Sequence, residues 1–291
     1  MDTSLPALFL SHGSPMTALE PGETGRFWQR LGTAIDAATG RPSAILAVSA
    51  HSLTREPALL AAPRHTAVYD FGGFPDALYR LRYDAAGDPA LATRVQALLA
   101  AEGIAAHRLD DGGLDHGIWT PLRWIYPAAD IPVLPLAYVP TWRPAEQFAL
   151  GRALAPLADE GVLIIGTGSI THNLRLLGRF VANQGVGQPE MAESAEFRAW
   201  MAARSAARDW DALLDYRSSA PHAALMHPTD EHLLPWYVAA GAGGRDATPQ
   251  RLHEAVTFGA LGMDAYAFGP GAARLAEALQ ASSLQVDAAS M

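Results

Sequence analysis

The sequence predicts an α/β fold, in which a central, mostly parallel or mixed sheet is flanked by helices. Three short runs are almost entirely apolar, as is typical of strands that helices cover on both faces. These runs are Ala7–Leu10, Ala44–Val48 and Val162–Ile165, and segments with helical features lie between them. The 291 residues, 49% of them hydrophobic, contain no repeat, low-complexity block or flexible linker. We therefore expect a single domain over residues 1–291, with its core at about 5–268 and a C-terminal tail at 271–291.

Three helices are expected in the first half of the chain. A helix near Gly22–Thr39 follows the first strand. Asp88 is a suitable N-cap for the next helix, from Ala90 to about Glu102, because Pro89 then occupies the first helical position, where no backbone N–H is needed. A short helix is expected over Gly117–Ile125.

The second half is expected to contain two strands, three helices, a hairpin and a terminal helix. Thr229 is a suitable N-cap for the third of these helices, because the acidic residues in its first turn agree with the helix dipole. A hairpin is expected where two alternating segments flank Leu261-Gly262. In chain order, the expected elements are Ile131–Tyr138, Pro144–Glu160, Val162–Ile165, Met191–Tyr216, Asp230–Ala240, the hairpin segments His253–Ala260 and Met263–Phe268, and a helix beyond Gly271.

The formal charge of −9 argues against nucleic acid or an anionic membrane as a partner, because both carry dense negative charge. No stripe of basic residues offsets this net charge. The first residues, Met1–Ser4, lack the positive region of a secretory signal, and no apolar stretch reaches the ~20 residues of a membrane-spanning helix. We therefore expect a cytoplasmic protein.

Two residue types are absent from the chain. The lack of cysteine excludes disulfides, iron–sulfur clusters, thiolate zinc sites and cysteine nucleophiles. All 21 basic residues are arginine, and the lack of lysine excludes pyridoxal-phosphate aldimines, Schiff-base aldolases and Walker-type phosphate loops. Metal-centred chemistry with histidine as acid or base remains easy to build from this composition.

Four histidines stand where a metal site is expected. His12, His51 and His172 follow the three apolar strands, and His232 lies at the start of the helix predicted for Asp230–Ala240. The carboxyl ends of parallel strands share one edge of a sheet, and open α/β proteins bind ligands there. A single histidine after a strand is more often a hydrogen-bonded loop residue than a ligand, but three of them favour a common explanation. Because neutral imidazole is a common metal ligand, we predict a histidine-rich divalent metal site.

The remaining polar motifs leave alternatives open. His116 lies at a loop-to-helix junction and is either a helix cap or a site residue. The aromatic segment Tyr69–Pro75 either walls a pocket or fills a core, and Gly166–Ser169 is a weak candidate for an anion cradle. Arg175 is the arginine closest to a motif and so a candidate for binding a substrate carboxylate. His65 is expected in a loop, His107, His222 and His253 are expected to be surface or structural residues, and the carboxylates nearest to the motifs are Asp70, Asp115, Asp230 and Glu231.

Six motifs occur in an order that carries a family resemblance. They are Ser11–Pro15 (SHGSP), Ser49–His51 (SAH), Tyr69–Pro75 (YDFGGFP), Leu114–Gly117 (LDHG), Thr171–Arg175 (THNLR) and Pro228–His232 (PTDEH). Together they resemble the DODA-type extradiol aromatic ring-opening dioxygenases, the 4,5-DOPA dioxygenase branch of the class III, LigB-like superfamily. The resemblance covers roughly residues 5–268, and the combination is much more specific than any single motif.

This resemblance implies a divalent metal, catalytically Fe(II), with zinc often found in purified relatives. His12, His51 and His232 match the metal ligands of this branch, and Glu231 is the fallback ligand beside His232. His172 matches the catalytic acid/base histidine, which some descriptions count as a fourth ligand, and His116 matches a second histidine that assists at the substrate or oxygen. The implied reaction is extradiol cleavage of a catechol such as DOPA, a small-molecule partner, with insertion of both atoms of O2.

Two other functions use the same residues. Zinc on three histidines and one water is the arrangement of hydrolytic enzymes, and His172 would then be the general base. The other alternative is a non-catalytic relative that keeps the pocket for binding or regulation. Oxygen uptake with a catechol distinguishes the dioxygenase from both.

Overall fold

An eight-stranded sheet forms the centre of the protein in the computed structural model, which describes residues 4–176 and 188–289. The strands are β1 (Ala7–Ser11), β2 (Ala44–Ser49), β3 (Ala58–Leu60), β4 (Arg64–His65), β5 (Ala85–Ala86), β6 (His107–Leu109), β7 (Val133–Ala137), β8 (Val162–Gly168), β9 (Gln250–His253), β10 (Val256–Thr257), β11 (Leu261–Gly262) and β12 (Ala265–Phe268). The order across the main sheet is β6-β3-β7-β2-β8-β1-β12-β9, and β4 pairs with β5 and β10 with β11 outside it.

The four central strands, β7, β2, β8 and β1, are parallel to one another. On one side, β12 and β9 extend the sheet in antiparallel fashion, and on the other side β3 is antiparallel to β7. The sheet is therefore mixed with a parallel centre, which confirms the predicted fold class. The parallel centre matters for the site because it places the ends of β1, β2 and β8 at one edge.

Helices cover both faces of the sheet. Their bounds are α1 (Gly22–Thr39), α2 (Pro89–Ala101), α3 (His116–Ile125), α4 (Pro144–Leu154), α5 (Ala192–Ala207), α6 (Trp210–Leu214), α7 (Tyr216–Ser219), α8 (Ala223–Met226), α9 (Leu234–Gly243) and α10 (Ala272–Ala289). Short 3-10 helices span Pro15–Ala18, Leu78–Arg80 and Ala155–Ala158. Within the described part of the chain, no helix combines the length and the apolar character needed to span a bilayer.

Two hydrophobic clusters lie on the two faces of the sheet. Successive strand residues point to opposite faces, so Leu8 packs into one cluster and Phe9 into the other. Trp28 of α1 and Trp236 of α9 are fully buried in these two clusters, respectively. Leu275 of α10 is also fully buried, so the C-terminal segment contributes to the core beside α1.

Two predicted helices are shorter than expected. The helix predicted for Pro144–Glu160 is α-helical only to Leu154 and continues as a 3-10 turn, because Pro156 has no N–H for the next α-helical bond. The helix predicted for Met191–Tyr216 ends at Ala207, because Arg208 adopts a left-handed conformation with φ 54°.

The helix predicted for Asp230–Ala240 begins later, at Leu234. Pro235 lies in its first turn, which is the part of a helix that tolerates a missing N–H. Thr229 is therefore not its N-cap, and its hydroxyl instead donates to Glu231 Oε1 at 3.0 Å. His232 consequently lies in the turn before α9 rather than in the helix.

The predicted hairpin is present in a different form. β9 pairs with β12, with an irregularity between Ala265 and Tyr266, and β10 and β11 form a smaller hairpin between them. Leu261 and Gly262 therefore belong to a strand rather than to the turn. The turn itself contains Phe258, whose φ of 51° is in the left-handed region.

Candidate metal centre

Three histidines from separate parts of the chain meet at the carboxyl edge of the central strands. His12 follows β1 and His51 follows β2, and both strands are in parallel register with β8 up to its last residues. His232 reaches the same point from the turn before α9. The ring centroids of His12 and His51 are 5.0 Å apart, and that of His232 is 5.6 Å from His12 and 5.0 Å from His51.

His116 and His172 complete a five-histidine cluster. His116 is the first residue of α3 rather than its cap, and its ring centroid lies 4.1 Å from that of His51. His172 stacks on His232 with centroids 3.4 Å apart and planes inclined by 10°. Among the described residues, two groups have potential ligand atoms within 4.8 Å of one another: His12, His51 and His116, and His172, Glu231 and His232. The ligand set implied by the resemblance draws on both groups.

Two linked hydrogen bonds determine which ring nitrogen of neutral His12 carries the proton. Thr167 Oγ1 lies 2.7 Å from Gly117 O, to which it donates its only proton. Thr167 Oγ1 therefore accepts a hydrogen bond from His12 Nδ1, 2.9 Å away. With this proton on Nδ1, the Nε2 lone pair of His12 is free to bind a cation.

Carboxylates orient His116 and His232 in the same way. Asp70 Oδ1 accepts a hydrogen bond from His116 Nδ1 at 3.0 Å, and Glu231 Oε1 accepts one from His232 Nδ1 at 3.1 Å. Such bonds hold the ring of a metal-binding histidine in place and make its other nitrogen more basic. In the tautomer that these bonds favour, the proton lies on Nδ1 and Nε2 keeps its lone pair.

Inside the cluster, Nε2 of His12 and Nε2 of His51 lie 3.1 Å apart. Asp70 Oδ2 lies 3.6 Å from His51 Nδ1. The carboxylate favours a proton on this nitrogen, so that Nε2 of His51 keeps its lone pair. Two lone pairs then face each other, and a cation bound between them would relieve their repulsion. Imidazole nitrogens backed by carboxylates and a hydroxyl are a donor set that fits a divalent transition metal.

Burial keeps His12, His51, His172 and His232 neutral at neutral pH. Desolvation, followed by the neighbouring rings, lowers the pKa of His12 well below its ordinary value, that of His51 to about 3 and that of His172 to about 2. Desolvation also lowers the pKa of His232. Burial alone would raise the pKa of Glu231, but hydrogen bonds, chiefly from His232, lower it to about 2. Neutral rings beside an ionised carboxylate are suited to a cation.

Asp115, at the N-cap position of α3, ties this helix to the end of β2. It is buried and accepts hydrogen bonds from Ser49 Oγ at 2.6 Å and Ser52 Oγ at 2.7 Å. Burial raises the pKa of Asp115, and the two hydroxyl donors oppose that shift. A Cβ on Gly117 would lie 2.6 Å from Ser49 Oγ and 3.0 Å from His12 Nδ1, so only glycine allows α3 to approach this closely.

The glycine-rich end of β8 allows the backbone near His232 to pack closely against this strand. A Cβ on Gly168 would lie 2.0 Å from His232 O, and Ser169 N donates to that same oxygen at 2.8 Å. His12 N in turn donates to Gly168 O at 3.0 Å. The segment Gly166–Ser169, considered as an anion cradle, therefore holds the backbones of two site histidines.

A cavity of about 570 Å³ opens onto the histidine cluster. This volume is typical of small-molecule sites. Its walls include Phe71, Phe74, Phe258 and Leu261. The aromatic segment Tyr69–Pro75 therefore lines a pocket through its two phenylalanines.

The other candidate residues lie outside the cluster. His65 is buried and accepts a hydrogen bond from a backbone N–H at 3.2 Å, and His253 stacks on the ring of Phe27. His107 and His222 pair with glutamates. Arg175 is exposed and does not line the cavity.

The sequence does not predict that Thr167 and Asp70 orient the site histidines. It indicates Thr167 only as part of the glycine-rich segment Gly166–Ser169, and Asp70 only as a carboxylate near a motif. One available signal is that Thr167 is a polar residue near the end of an apolar strand, where a buried hydroxyl needs a partner.

Known proteins resemble this chain over most of its length. Residues 6–269 match the family model described as the catalytic LigB subunit of aromatic ring-opening dioxygenase. A 4,5-DOPA dioxygenase extradiol from Beta vulgaris is 37% identical over 262 residues, covering 89% of this chain and 95% of the relative. The protein of the same name from Escherichia coli (strain K12) is 36% identical over 266 residues, covering 90% of this chain and 93% of the relative.

A solved structure shares the fold. The crystal structure of an uncharacterized protein from Escherichia coli K12 matches with a TM-score of 0.76 at 32% identity, covering 91% of this chain and 100% of that one. The region matched by the family model contains all five clustered histidines. The chain therefore belongs to the LigB family of aromatic ring-opening dioxygenases, in its extradiol, DODA-type branch.

Proposed function

We propose that the protein is a non-haem Fe(II)-dependent extradiol dioxygenase that cleaves a catechol such as DOPA and inserts both atoms of O2 to give a ring-opened semialdehyde. The observation that carries this proposal is the convergence of unprotonated imidazole nitrogens, oriented by hydrogen bonds, at one end of an aromatic cavity. The names of the relatives from Beta vulgaris and Escherichia coli support DOPA as a substrate.

His12, His51 and His232 would hold the metal ion as neutral ligands. Support comes from their free Nε2 atoms and from the short contact between His12 and His51. Bound Fe(II) would supply electron transfer between a chelated catechol and dioxygen. Zinc fits the same nitrogens but has no redox chemistry, so we expect it to occupy the site without supporting turnover.

In this proposal, His172 accepts the proton of one catechol hydroxyl. Its ring lines the cavity, and a neutral imidazole has a lone pair that can accept a proton from a bound hydroxyl group. His116 is the second proton-handling group, and its hydrogen bond to Asp70 leaves Nε2 available toward the cavity. The apolar walls exclude bulk water from the reacting atoms.

The overall reaction adds one O2 to one catechol. The bond between a hydroxylated ring carbon and its unhydroxylated neighbour breaks, and each of these two carbons gains one oxygen atom. One carbon becomes a carboxylate and the other an aldehyde, so the reaction consumes no external reductant.

Anaerobic loading with Fe(II), followed by DOPA in air, tests the proposal. We expect one O2 to be consumed per catechol and a yellow ring-opened product to form. With ¹⁸O2, mass spectrometry should find both labelled atoms in product sampled before the aldehyde exchanges with solvent. The zinc-loaded protein is the control and should be inactive. Higher activity with zinc than with iron, or a product without label, would contradict the proposal.

A further inference from the structure

The walls of the active-site cavity differ in chemistry from the histidine cluster at its base. Beyond the histidines, its larger lining side chains are apolar, and they include Phe71, Phe74, Phe258, Leu174 and Leu261. Among the described residues, no arginine, aspartate or glutamate lines this cavity. A catechol held by its hydroxyl groups at the histidines therefore directs its ring substituent toward apolar walls.

Carboxylates lie near this apolar region in two places. Asp70 and Glu231 lie directly behind the histidines. A smaller cavity of about 220 Å³ shares lining residues with the main one, Phe258 among them, and its walls include Glu20 and Glu23. An anionic substituent that reached past Phe258 would therefore meet like charge.

A buried arginine beside Gly262, the residue that follows the lining residue Leu261, is already paired. Arg198 lies behind Gly262, since a Cβ on this glycine would lie 2.8 Å from Arg198 Cδ. Its Nε donates to Asp264 at 2.6 Å and its Nη1 donates to Glu190 at 2.7 Å. These carboxylates neutralise Arg198, so it offers no free positive charge to a substrate.

Phe258 occupies a strained position in the wall. Its φ of 51° is in the left-handed region, which bulky side chains rarely adopt. Strain of this kind persists where the surroundings hold a residue in place, and it is concentrated at ligand sites. The observation supports a built apolar wall at the junction of the two cavities.

We propose that this cavity selects catechols whose ring substituent is uncharged over those that carry a carboxylate. The inference rests on the proposed dioxygenase function and names its preferred substrates. A carboxylate would lose its hydration in the cavity without gaining a cationic side chain among the described lining residues, whereas an uncharged substituent has no such cost. DOPA, which carries a carboxylate, is then a poorer substrate than an uncharged relative of similar size.

A matched pair of substrates tests the preference. (3,4-Dihydroxyphenyl)acetamide and (3,4-dihydroxyphenyl)acetate have nearly the same shape and differ in charge. For the Fe(II)-loaded protein, we expect kcat/KM to be higher for the amide by about ten-fold or more. A smaller difference, or a preference for the acid, would overturn the inference while leaving the dioxygenase function intact. No oxygen uptake with either compound, with DOPA or with catechol would overturn both.

A charge placed in the cavity wall provides a second test. Leu174 lines the cavity but is 66% exposed, so Leu174→Arg adds a cation without burying it. We expect this variant to lower the amide-to-acid ratio of kcat/KM by about five-fold or more, mainly through a lower KM for the acid. The matched control is Leu109→Arg, because Leu109 is 42% exposed on β6 and lies outside the cavity. An unchanged ratio in Leu174→Arg, or an equal change in the control, would overturn the inference.

Discussion

Thr167 Oγ1 accepts a hydrogen bond from His12 Nδ1 at 2.9 Å and donates its own proton to Gly117 O at 2.7 Å. These two contacts join the end of β8 to the end of β1 and to the first turn of α3. They also determine which nitrogen of His12 is free for a metal. Metal affinity should therefore depend on a residue that is not itself a proposed ligand.

We expect Thr167→Val to lower metal affinity by about 10- to 100-fold, because valine keeps the shape but removes the hydrogen-bond acceptor of His12. Thr167→Ser should retain most of the affinity. Competition with a chromogenic chelator measures the effect. The matched control is Thr120→Val, because Thr120 is buried and its hydroxyl has no hydrogen-bond partner among the described residues. Equal affinities in Thr167→Val and the wild type would show that the two linked hydrogen bonds are irrelevant to binding.

Replacing His12, His51 or His232 with alanine should remove most bound metal, because each substitution deletes one of three proposed ligands. Metal content per chain after Fe(II) or zinc loading provides the measurement. His107→Ala is the control, since His107 is exposed and pairs with Glu56. Full metal content in His232→Ala would exclude His232 as a required ligand and favour Glu231.

His172→Gln should retain metal and catechol binding but lose about 10²- to 10⁴-fold in turnover, because it removes the proposed proton acceptor. Metal content, catechol affinity and kcat, measured on the same preparation, separate these effects. Metal loss in step with activity would identify His172 as a ligand instead. His116→Ala should show a smaller loss of turnover. Unchanged turnover would indicate that His116 has a structural role and no catalytic one.

The buried His253 should make the free energy of unfolding fall as the pH drops from neutral to mildly acidic. Burial, followed by nearby arginines, lowers its pKa to about 4. Between this value and the ordinary ~6.5, the unfolded chain binds a proton that the folded chain does not, so stability falls as pH drops through this range. We expect the loss between about pH 7 and about pH 4.5 to be smaller by about 2 kcal/mol in His253→Gln, measured by urea unfolding. The same loss in both proteins would contradict this assignment.

Gly168→Ala should destabilise the protein by about 3 kcal/mol and lower its metal content, because the new Cβ would meet a backbone oxygen of His232 that has little room to move. The ideal Cβ lies only 2.0 Å from that oxygen. Gly72→Ala is the control, because a Cβ there meets nothing within 4 Å. Thermal unfolding and metal analysis measure both effects. Normal metal content in Gly168→Ala would show that this close packing does not position His232.

Local sequence patterns are sufficient to predict most of the helices and strands. The apolar runs before His12 and His51 are strands, and Asp88 and Pro89 begin α2 as their types predict. The motif order also led to the correct family. Helix ends were less predictable where a single residue changed the backbone, as at Arg208 with its left-handed φ of 54°.

Local hydrophobic patterns and residue types are enough to predict which residues end the strands and which chemistry they favour. The orientation of the histidines depends instead on contacts between segments that are distant in the chain. Thr167 is separated from His12 by 155 positions and Asp70 from His116 by 46, so no local pattern links them. These hydrogen bonds exist because parallel pairing of β1 with β8 and close packing of α3 bring distant segments within reach, which depends on the whole core.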